Sequence, residues 1–214
     1  MVKFEVTIGI ITSPRRLPTL DVSIESLRKA GYEGRVFIFS EPGPLFLNGY
    51  YTQVIQHSEK LGAFGNYDFA LNWLLDNRKS HFICVLEDDY VYTEMFMPLL
   101  YQIAEQKNFG YYNLFTNKLQ PGLGELPRGW SEIKLGWHSW GVGYVFERGN
   151  VEKIIKHEIY QKTLKENNMN IDAAVSEACL QLGLPMFYHN PSACYSIGYL
   201  STLGHKTFND GYGL

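Results

Sequence analysis

The length and composition of the chain point to one folded domain of ordinary size. It has 214 residues, of which 45% are hydrophobic and 15% aromatic, which is enough to bury one substantial core. The formal net charge is -3 at pH 7 and the basic residues are scattered. The basic patch typical of proteins that bind nucleic acid polymers or anionic membranes is therefore missing. We predict a single domain over residues 1–214 with neither kind of partner.

The sequence features that bear on cellular location favour a soluble, cytoplasmic protein. No stretch approaches the ~20 apolar residues that cross a bilayer, and Val6–Ile11 is too short for the apolar region of a signal peptide. Cys84, Cys179 and Cys194 are odd in number and far apart, so neither a disulfide framework nor a zinc site is suggested. The Asn-x-Ser pattern at 190–192 has proline in the middle and cannot accept an N-glycan.

The first part of the chain alternates strand and helix patterns. Val6–Ile11 is rich in β-branched residues and predicts a buried strand. Helical spacing predicts a helix over 20–30 that stops at Gly31, and residues 35–40 predict a second strand. A strand, a helix and a strand in this order imply a parallel pair. The next predicted elements are a short strand over 52–56, a helix over 64–77 and a fully buried strand over 81–86.

The second part continues with less regular patterns. The predicted elements are a helix over 94–106, a strand over 110–115, a Gly- and Trp-rich loop over 119–142, a strand over 143–147, and helices over 150–160 and 171–182. The tail from residue 192 is dense in Gly, Tyr, Ser and His, which predicts an ordered loop over the domain. The alternation as a whole predicts an α/β fold, with a mostly parallel sheet flanked by helices.

Three consecutive carboxylates, Glu87, Asp88 and Asp89, follow the predicted buried strand over 81–86. Water or a cation must relieve their mutual repulsion, and carboxylate oxygens suit Mg²⁺ or Mn²⁺, which keep positions open for phosphate oxygens. Ligands of open α/β sheets bind at the carboxyl ends of strands, where this triplet lies. The pattern predicts a divalent cation site. The alternative is an acidic turn that caps the following helix.

In the triplet and the strand before it, the sequence resembles the GT-A glycosyltransferases. The metal motif of that family often reads Glu-Asp-Asp directly after a buried strand. The loop that contains Thr12 and Arg15 is similar to the first nucleotide-contacting loop of the family. Glu41 matches a position that commonly meets the nucleoside. The segment with Gly62 and Asn66 resembles the stretch that runs beneath base and ribose. The resemblance covers nearly the whole chain and extends to compact capsid-modifying glycosyltransferase domains of large algal viruses.

The resemblance implies a Rossmann-like GT-A fold and different roles for the three carboxylates of the triplet. Asp89 is expected to bind the cation, while Glu87 and Asp88 orient the ribose and the groups around the ion. Mn²⁺ or Mg²⁺ would then stabilise the departing diphosphate as a Lewis acid. The implied activity is an inverting hexosyl or deoxyhexosyl transfer from a nucleoside diphosphate sugar, UDP-linked, to a hydroxyl of a glycan or glycoprotein. For a viral chain the expected location is the host cytoplasm.

Residues 136–143 combine Gly136, Gly141 and Gly143 with Trp137 and Trp140. This loop resembles the one that faces donor sugar and acceptor in GT-A enzymes, and the resemblance gives Trp140 a contact with substrate. Tryptophan faces stack on sugar rings, and glycines let the backbone approach a ligand. The alternative is an aromatic core cluster at a tight turn.

Asp172 lies in the first turn of the predicted helix over 171–182, where the helix dipole favours its ionised form. In inverting GT-A enzymes a carboxylate at a corresponding helix start acts as the catalytic base, so the resemblance assigns that role to Asp172. A simple helix cap is the alternative. Glu177, further along the same helix, is the second candidate for the base.

The tail resembles a Pro-Ser…Gln-His-x-Gly…Ser ending that several GT-A branches share. Pro191 and Ser192 match its start, but Tyr195 and Ser196 stand where Gln and His are expected. The resemblance leaves His205 as a ligand for the metal or the diphosphate, with a solvated histidine as the alternative.

Two other classes of function remain open on the sequence. A nucleotidylyltransferase would use a related α/β sheet, but it needs a Gly-rich N-terminal loop with Arg and Lys, which is missing here. A non-catalytic sugar- or nucleotide-sugar-binding module would keep the Trp-rich loop. It would have no need for three carboxylates beside a free base.

Overall fold

The computed structural model describes residues 5–14, 18–45, 47, 52–116, 127–133, 143–166 and 171–197. Within these residues the elements in chain order are β1 (Val6–Thr12), α1 (Leu20–Lys29), β2 (Val36–Ser40), β3 (Thr52–Gln56), α2 (Gly62–Asn77), β4 (Phe82–Glu87), β5 (Tyr90–Tyr92), α3 (Phe96–Ile103), β6 (Tyr111–Asn113), β7 (Gly129–Glu132), β8 (Tyr144–Glu147), α4 (Arg148–Lys156), α5 (Glu158–Lys165), α6 (Ile171–Gln181), β9 (Met186–Asn190) and β10 (Cys194–Ser196).

An eight-stranded sheet with the order β3-β2-β1-β4-β8-β6-β9-β7 forms the centre of the described residues. The first four strands of this order run parallel to one another. Beyond β4 the directions mix, because β8 is antiparallel to both β4 and β6, β9 is parallel to β6, and β7 is antiparallel to β9. The α/β class predicted from the sequence is confirmed, and the sheet is mixed.

Helices cover both faces of the sheet and bury its central strands. One hydrophobic cluster joins the sheet to α1 and α3, and a second joins it to α2, α4, α5 and α6. Strands covered on both faces show continuous apolar runs rather than alternation, which is why β1, β2 and β4 were recognisable in the sequence. None of the described helices has the length and apolar character needed to span a bilayer.

Gly9 in the middle of β1 allows α2 to pack closely on the sheet. A Cβ at this position would lie 2.9 Å from the Phe39 ring and 3.1 Å from a methyl group of Leu74. The absence of a side chain on one strand therefore makes room for an aromatic ring of β2 and a leucine of α2. This packing sets the height of α2 above the ends of β1 and β2.

A second, two-stranded sheet pairs β5 with β10 in antiparallel register, with Tyr90 opposite Ser196 and Tyr92 opposite Cys194. β5 begins directly after the carboxylate triplet, so the segment over 194–196 holds the exit of that triplet in place. Most of the tail that was predicted to be an ordered loop lies outside the described residues, and its described part contains β10, a strand that the sequence did not predict.

Three predictions about the elements are corrected by the structure. Within the predicted loop over 119–142, residues Gly129–Glu132 form the edge strand β7 against β9. The predicted helix over 150–160 is two helices, because His157 adopts an extended conformation and its side chain caps α5 by accepting from the Ile159 amide. The predicted helix over 94–106 is shorter, since α3 spans Phe96–Ile103. β5, β9 and β10 were missed altogether.

Candidate active site at the carboxyl edge of the sheet

Because β1 to β4 run parallel, their last residues meet at one edge of the sheet, which we call the carboxyl edge. It is formed by Thr12, Ser40, Gln56 and Glu87. β8 starts at the same edge, since Tyr144 pairs with both Val85 and Asn113. Tyr144, the first residue of β8, therefore lies at the end of the sheet that carries the carboxylate triplet.

Asp88 is held at this edge by a short hydrogen bond. The Thr12 hydroxyl donates to Asp88 Oδ2 at 2.5 Å, and the two residues are only 5% and 2% exposed. Hydrogen bonds to a carboxylate are stronger than neutral ones. The contact ties the end of β1 to the turn after β4, so the triplet is anchored on two neighbouring strands of the sheet.

Helix α1 fixes the backbone of the same turn. Ser23 Oγ lies 2.8 Å from the Asp88 carbonyl oxygen and 2.6 Å from that of Tyr90, and it also accepts from the Tyr90 amide at 3.2 Å. Ser26 Oγ accepts from the Tyr92 amide at 3.0 Å. Neither serine was assigned an anchoring role from the sequence. Their role could not be predicted from it, because their partners lie more than sixty residues away.

Glu41 occupies the neighbouring position at the end of β2. Its amide donates to the Thr12 carbonyl at 3.0 Å, and its Oε2 accepts from the Leu61 amide at 3.0 Å. The residue is 4% exposed, and its Oε1 has no hydrogen-bond partner among the described residues. A buried acceptor without a donor is costly. A hydroxyl or N–H group of a ligand is the kind of partner that would satisfy this oxygen.

Asn66, at the start of α2, uses its amide within the protein. Nδ2 donates to the Phe39 carbonyl at 3.0 Å and lies 3.4 Å from the Thr12 carbonyl, while Oδ1 is 2.9 Å from His57 Nε2. Asn66 thus joins α2 to the ends of β1, β2 and β3. Gly62 begins α2 with a φ of 76°, in the left-handed region that glycine adopts freely. A ligand contact of Asn66 and Gly62 stays a prediction.

His57 is a residue of the carboxyl edge that sequence reasoning missed. Its amide donates to the Ser40 carbonyl at 2.9 Å, and its ring meets Phe69 at 4.6 Å between centroids. A single histidine after a short, half-exposed strand carries no periodic signal. Only the parallel pairing of β3 with β2 brings it to Asn66.

The backbone on either side of Asp89 is also held. The Asp89 carbonyl accepts from the Ile197 amide at 2.8 Å, and the Tyr92 hydroxyl donates to the Glu87 carbonyl at 3.2 Å. Asp89 is 6% exposed and Glu87 is half-buried. The triplet is therefore a fixed turn between β4 and β5, and the predicted alternative of an acidic cap on the next helix does not hold, since β5 follows it and α3 begins only at Phe96.

The charges of the triplet converge with that of Asp172. Burial raises the pKa of the Tyr90 phenol well above its usual value, and the carboxylates of Glu87, Asp89 and Asp172 raise it further. Burial likewise raises the pKa of Tyr67 in α2, and Asp172 and Glu87 again add to the effect. Asp172 lies in the first turn of α6. The carboxylates of Glu87 and Asp172 thus both raise the pKa of these two buried phenols.

The carboxylates of this edge offer oxygen donors to a divalent ion. Among the described residues no group of three or more His, Cys, Asp or Glu side chains forms a ready metal cage. Adjacent carboxylates after a strand nevertheless supply the hard oxygen donors that Mg²⁺ and Mn²⁺ prefer, and Mg²⁺ is usually held by one or two carboxylates together with substrate phosphates. The donor chemistry therefore suits an ion that is completed by the phosphates of a nucleotide.

Three of the predicted site residues, Arg15, Trp140 and His205, lie outside the described residues, as does most of the Gly- and Trp-rich loop over 136–143. Their predicted roles are unchanged. Of the other predicted residues, Asp172 lies in the first turn of α6, and the rest lie at or beside the carboxyl edge. No family model matches the sequence, and the comparison with curated proteins finds none that is similar. Any functional assignment therefore depends on the chemistry of this edge.

Proposed function

We propose that this chain is a metal-dependent glycosyltransferase of the GT-A type. It would transfer a sugar from a nucleoside diphosphate donor, UDP-linked, to a hydroxyl of a glycan or glycoprotein with inversion at the anomeric carbon. The observation that carries the proposal is the buried hydrogen-bond network of the carboxyl edge. It joins Asp88, Thr12 and Glu41 and leaves one buried Glu41 oxygen in need of a donor.

The network supports a donor site with two ends. At one end, Glu41 Oε1 would accept a hydrogen bond from the ribose or base, with Leu61 holding the other carboxylate oxygen in place. At the other end, Asp89 would hold the ion, which stabilises the charge that develops on the departing diphosphate. Between the two ends, Thr12 and Asp88 fix the floor on which the ribose would lie.

Asp172 is the candidate for the base that removes the acceptor proton. A direct displacement needs the hydroxyl to attack the face opposite the leaving diphosphate, so the base must come from a separate element. α6 is such an element, and the charge of Asp172 reaches the same tyrosines as that of Glu87. Glu177 is engaged at the other end of the helix, where it accepts from Gln181 at 3.0 Å. Glu177 stays the second candidate for the base.

A thermal-shift panel tests the proposal. We expect UDP and UDP-sugars to raise the melting temperature in the presence of Mn²⁺ and to do so much less without it, because a ligand that binds only the native state stabilises it by mass action. The panel also contains the diphosphates of adenosine, guanosine, cytidine and thymidine, which test the preference for uracil.

The matched variants are Asp89→Asn and Asp76→Asn. Asp89→Asn should remove the Mn²⁺-dependent shift and cost about 3 kcal/mol or more of transition-state stabilisation, within the several kcal/mol that a Lewis acid supplies. Asp76 is an exposed aspartate near the end of α2, so its substitution controls for the loss of one charge. No shift with any nucleotide, or an unchanged Mn²⁺ effect in Asp89→Asn, would remove the proposal.

A further inference from the structure

A groove on the other half of the sheet is separate from the carboxyl edge. It has a volume of ≈ 410 Å³ and is lined by residues from α3 and the turn after it and from β6, β7 and β9, namely Gln102, Glu105, Gln106, Tyr112, Trp130, Glu132 and Phe187. We call it the aromatic groove. Its volume lies in the range usual for small-molecule sites.

The groove lies where α3 ends beside the last strands of the sheet. α3 stops at Ile103, and residues of the following turn line the groove together with residues of β6, β7 and β9. Tyr112, Phe187 and Glu132 are register partners across these strands, so their side chains share one face of the sheet. The groove therefore lies beside the amino-terminal parts of β6 and β9, whereas the triplet lies at the carboxyl end of β4.

Three aromatic rings form the wall of the groove. Tyr112 and Phe187 are stacked at 4.6 Å with an interplanar angle of 15°. Trp130 stands across Tyr112 at 4.7 Å and 87°, and its indole N–H donates to Gln102 Oε1 at 3.0 Å. Trp130 and Phe187 are both half-buried, so part of each ring faces the groove. The hydrogen bond to Gln102 fixes the orientation of the indole.

The rim of the groove is polar and carries no positive charge. Gln102, Glu105, Gln106 and Glu132 are all exposed. Of the described residues that line the groove, none is Lys, Arg or His. Two amides offer donors and acceptors, and two carboxylates offer acceptors. The net negative charge of this rim disfavours phosphates, sialic acids and other anions.

We infer that the aromatic groove binds a neutral pyranose, as a mono- or disaccharide unit of a glycan. One face of a pyranose presents a patch of C–H groups, which complements the negative face of an aromatic ring. Its hydroxyls both donate and accept, as the Gln and Glu side chains of the rim require. The inference does not depend on the proposed transferase activity, because it concerns binding at a separate place on the sheet.

A quaternary ammonium is the competing ligand for aromatic rings near carboxylates. Such cations are enclosed by several ring faces at once. Here Tyr112 and Phe187 are nearly parallel and cover one face of each other, which leaves only Trp130 and the outer face of Phe187. A saccharide ring needs no more than these two surfaces, because it stacks on one ring face at a time. The amides of Gln102 and Gln106 would also have no partner on a trimethylated nitrogen.

An NMR titration tests the inference directly. The chain has four tryptophans, and the indole N–H signal of Trp130 is assigned by its loss in Trp130→Phe. The probes are trisaccharides of glucose, mannose, xylose and N-acetylglucosamine, with choline, inorganic phosphate and sialic acid as the charged probes. We expect at least one neutral saccharide to shift the Trp130 signal with a Kd of about 10 mM or lower, and the charged probes to leave it unchanged.

Matched variants locate the binding. With backbone amide signals of β7 and β9 as the reporters, Trp130→Ala and Gln102→Ala should each weaken the affinity for the saccharide, by about tenfold for the tryptophan, as truncation of a central aromatic anchor usually does. Gln102 is exposed, so its variant keeps the test valid if Trp130→Ala does not fold. Tyr101→Ala is the control, because Tyr101 is an exposed aromatic of α3, 57% accessible, that does not line the groove.

Several outcomes would overturn the inference. They are the failure of every neutral saccharide to bind, tighter binding of choline than of any saccharide, an affinity that Trp130→Ala and Gln102→Ala leave unchanged, or an equal loss in Tyr101→Ala. A concentration-dependent dimer that Trp130→Ala abolishes would assign the groove to self-association instead. All titrations are run without nucleotide or Mn²⁺ and repeated with Asp89→Asn. Failure of the proposed transferase activity would therefore not affect them.

Discussion

The two halves of the sheet differ in the direction of their strands and in the contacts that their side chains make. β3, β2, β1 and β4 run parallel, and polar side chains at their shared edge bond to one another, as Thr12 does to Asp88. β8, β6, β9 and β7 mix directions, and their side chains form aromatic stacks such as Tyr112 on Phe187. Parallel strands connected by helices gather successive loops at one edge, where ligands of α/β sheets bind. The mixed half has no such common edge and offers a surface instead.

Under the two proposals, the nucleotide binds at the parallel half and a glycan binds at the mixed half. Asp172 is the proposed base, and its charge acts on Tyr67 of α2 and Tyr90 of β5. The first and largest test therefore concerns Asp172.

Asp172→Asn should lower turnover by about 10²–10⁴-fold, the usual contribution of a positioned general base, while UDP and Mn²⁺ affinity stay nearly unchanged. Steady-state kinetics with a UDP-sugar and thermal shifts with UDP measure the two effects separately. Glu177→Gln is the matched control on the same helix and should leave turnover unchanged. Loss of donor affinity together with turnover would move Asp172 to the donor site, and loss of stability alone would make it a helix cap.

A second test compares one buried threonine from each half. The Thr12 hydroxyl donates to the Asp88 carboxylate, and the Thr116 hydroxyl donates to the His189 carbonyl at 2.7 Å. Thr12→Val should lower the free energy of unfolding by about 1.5–3 kcal/mol and Thr116→Val by about 0.5–1.5 kcal/mol, because hydrogen bonds to charged groups are worth more. Urea denaturation at constant pH measures both. Equal losses would mean that the anchoring of Asp88 is not special to the parallel half.

A third test concerns how tightly each half is packed. Gly9→Ala places a Cβ 2.9 Å from the Phe39 ring, and overpacking of this kind costs about 1–3 kcal/mol of unfolding free energy. Gly149, in α4 beside the mixed half, has open space where a Cβ would stand, so Gly149→Ala should stabilise by up to about 1 kcal/mol through helix propensity. Thermal denaturation checks the opposite signs. A neutral Gly9→Ala would show that α2 can move away from β1.

The difference between the two halves also explains which strands could be predicted from the sequence. Long apolar runs such as Phe82–Leu86 need only their own periodicity to be recognised, and the carboxylates that follow them then lie at a known edge. β7, β5 and β10 are three or four residues long and depend on partners far along the chain, as Tyr90 depends on Ser196. No local sequence pattern indicates such pairings. The aromatic groove and the anchoring role of Ser23 therefore could not be predicted from the sequence.

The break between α4 and α5 also depends on a contact that the sequence pattern does not show. The hydrophobic pattern over 150–160 continues through His157, and periodicity alone therefore predicts one helix. The break is visible only in the side-chain contact of His157 Nδ1 with the Ile159 amide at 3.3 Å. Sequence patterns thus located the carboxylate turn and the start of α6, while side chains whose partners are set by tertiary packing were missed.

The smallest expected effect concerns Glu41, the residue proposed to contact the nucleoside. In Glu41→Gln the amide oxygen can still accept from the Leu61 amide, so stability should change by no more than about 0.5 kcal/mol. The second carboxylate oxygen, however, becomes an NH₂ group that cannot accept a hydrogen bond from a nucleoside. Affinity for UDP should then fall about tenfold, which corresponds to the loss of one hydrogen bond to a charged group.

Isothermal titration with UDP and Mn²⁺ measures this affinity, and Glu132→Gln is the control from the mixed half. Glu132 is an exposed carboxylate of β7, and its substitution removes the same charge without touching the carboxyl edge, so UDP affinity should not change. If Glu41→Gln instead binds UDP as tightly as the parent chain, the buried Glu41 oxygen does not meet the nucleoside. The carboxylate would then serve only to join β2 to the start of α2, and the donor would have to be held by other groups of this edge.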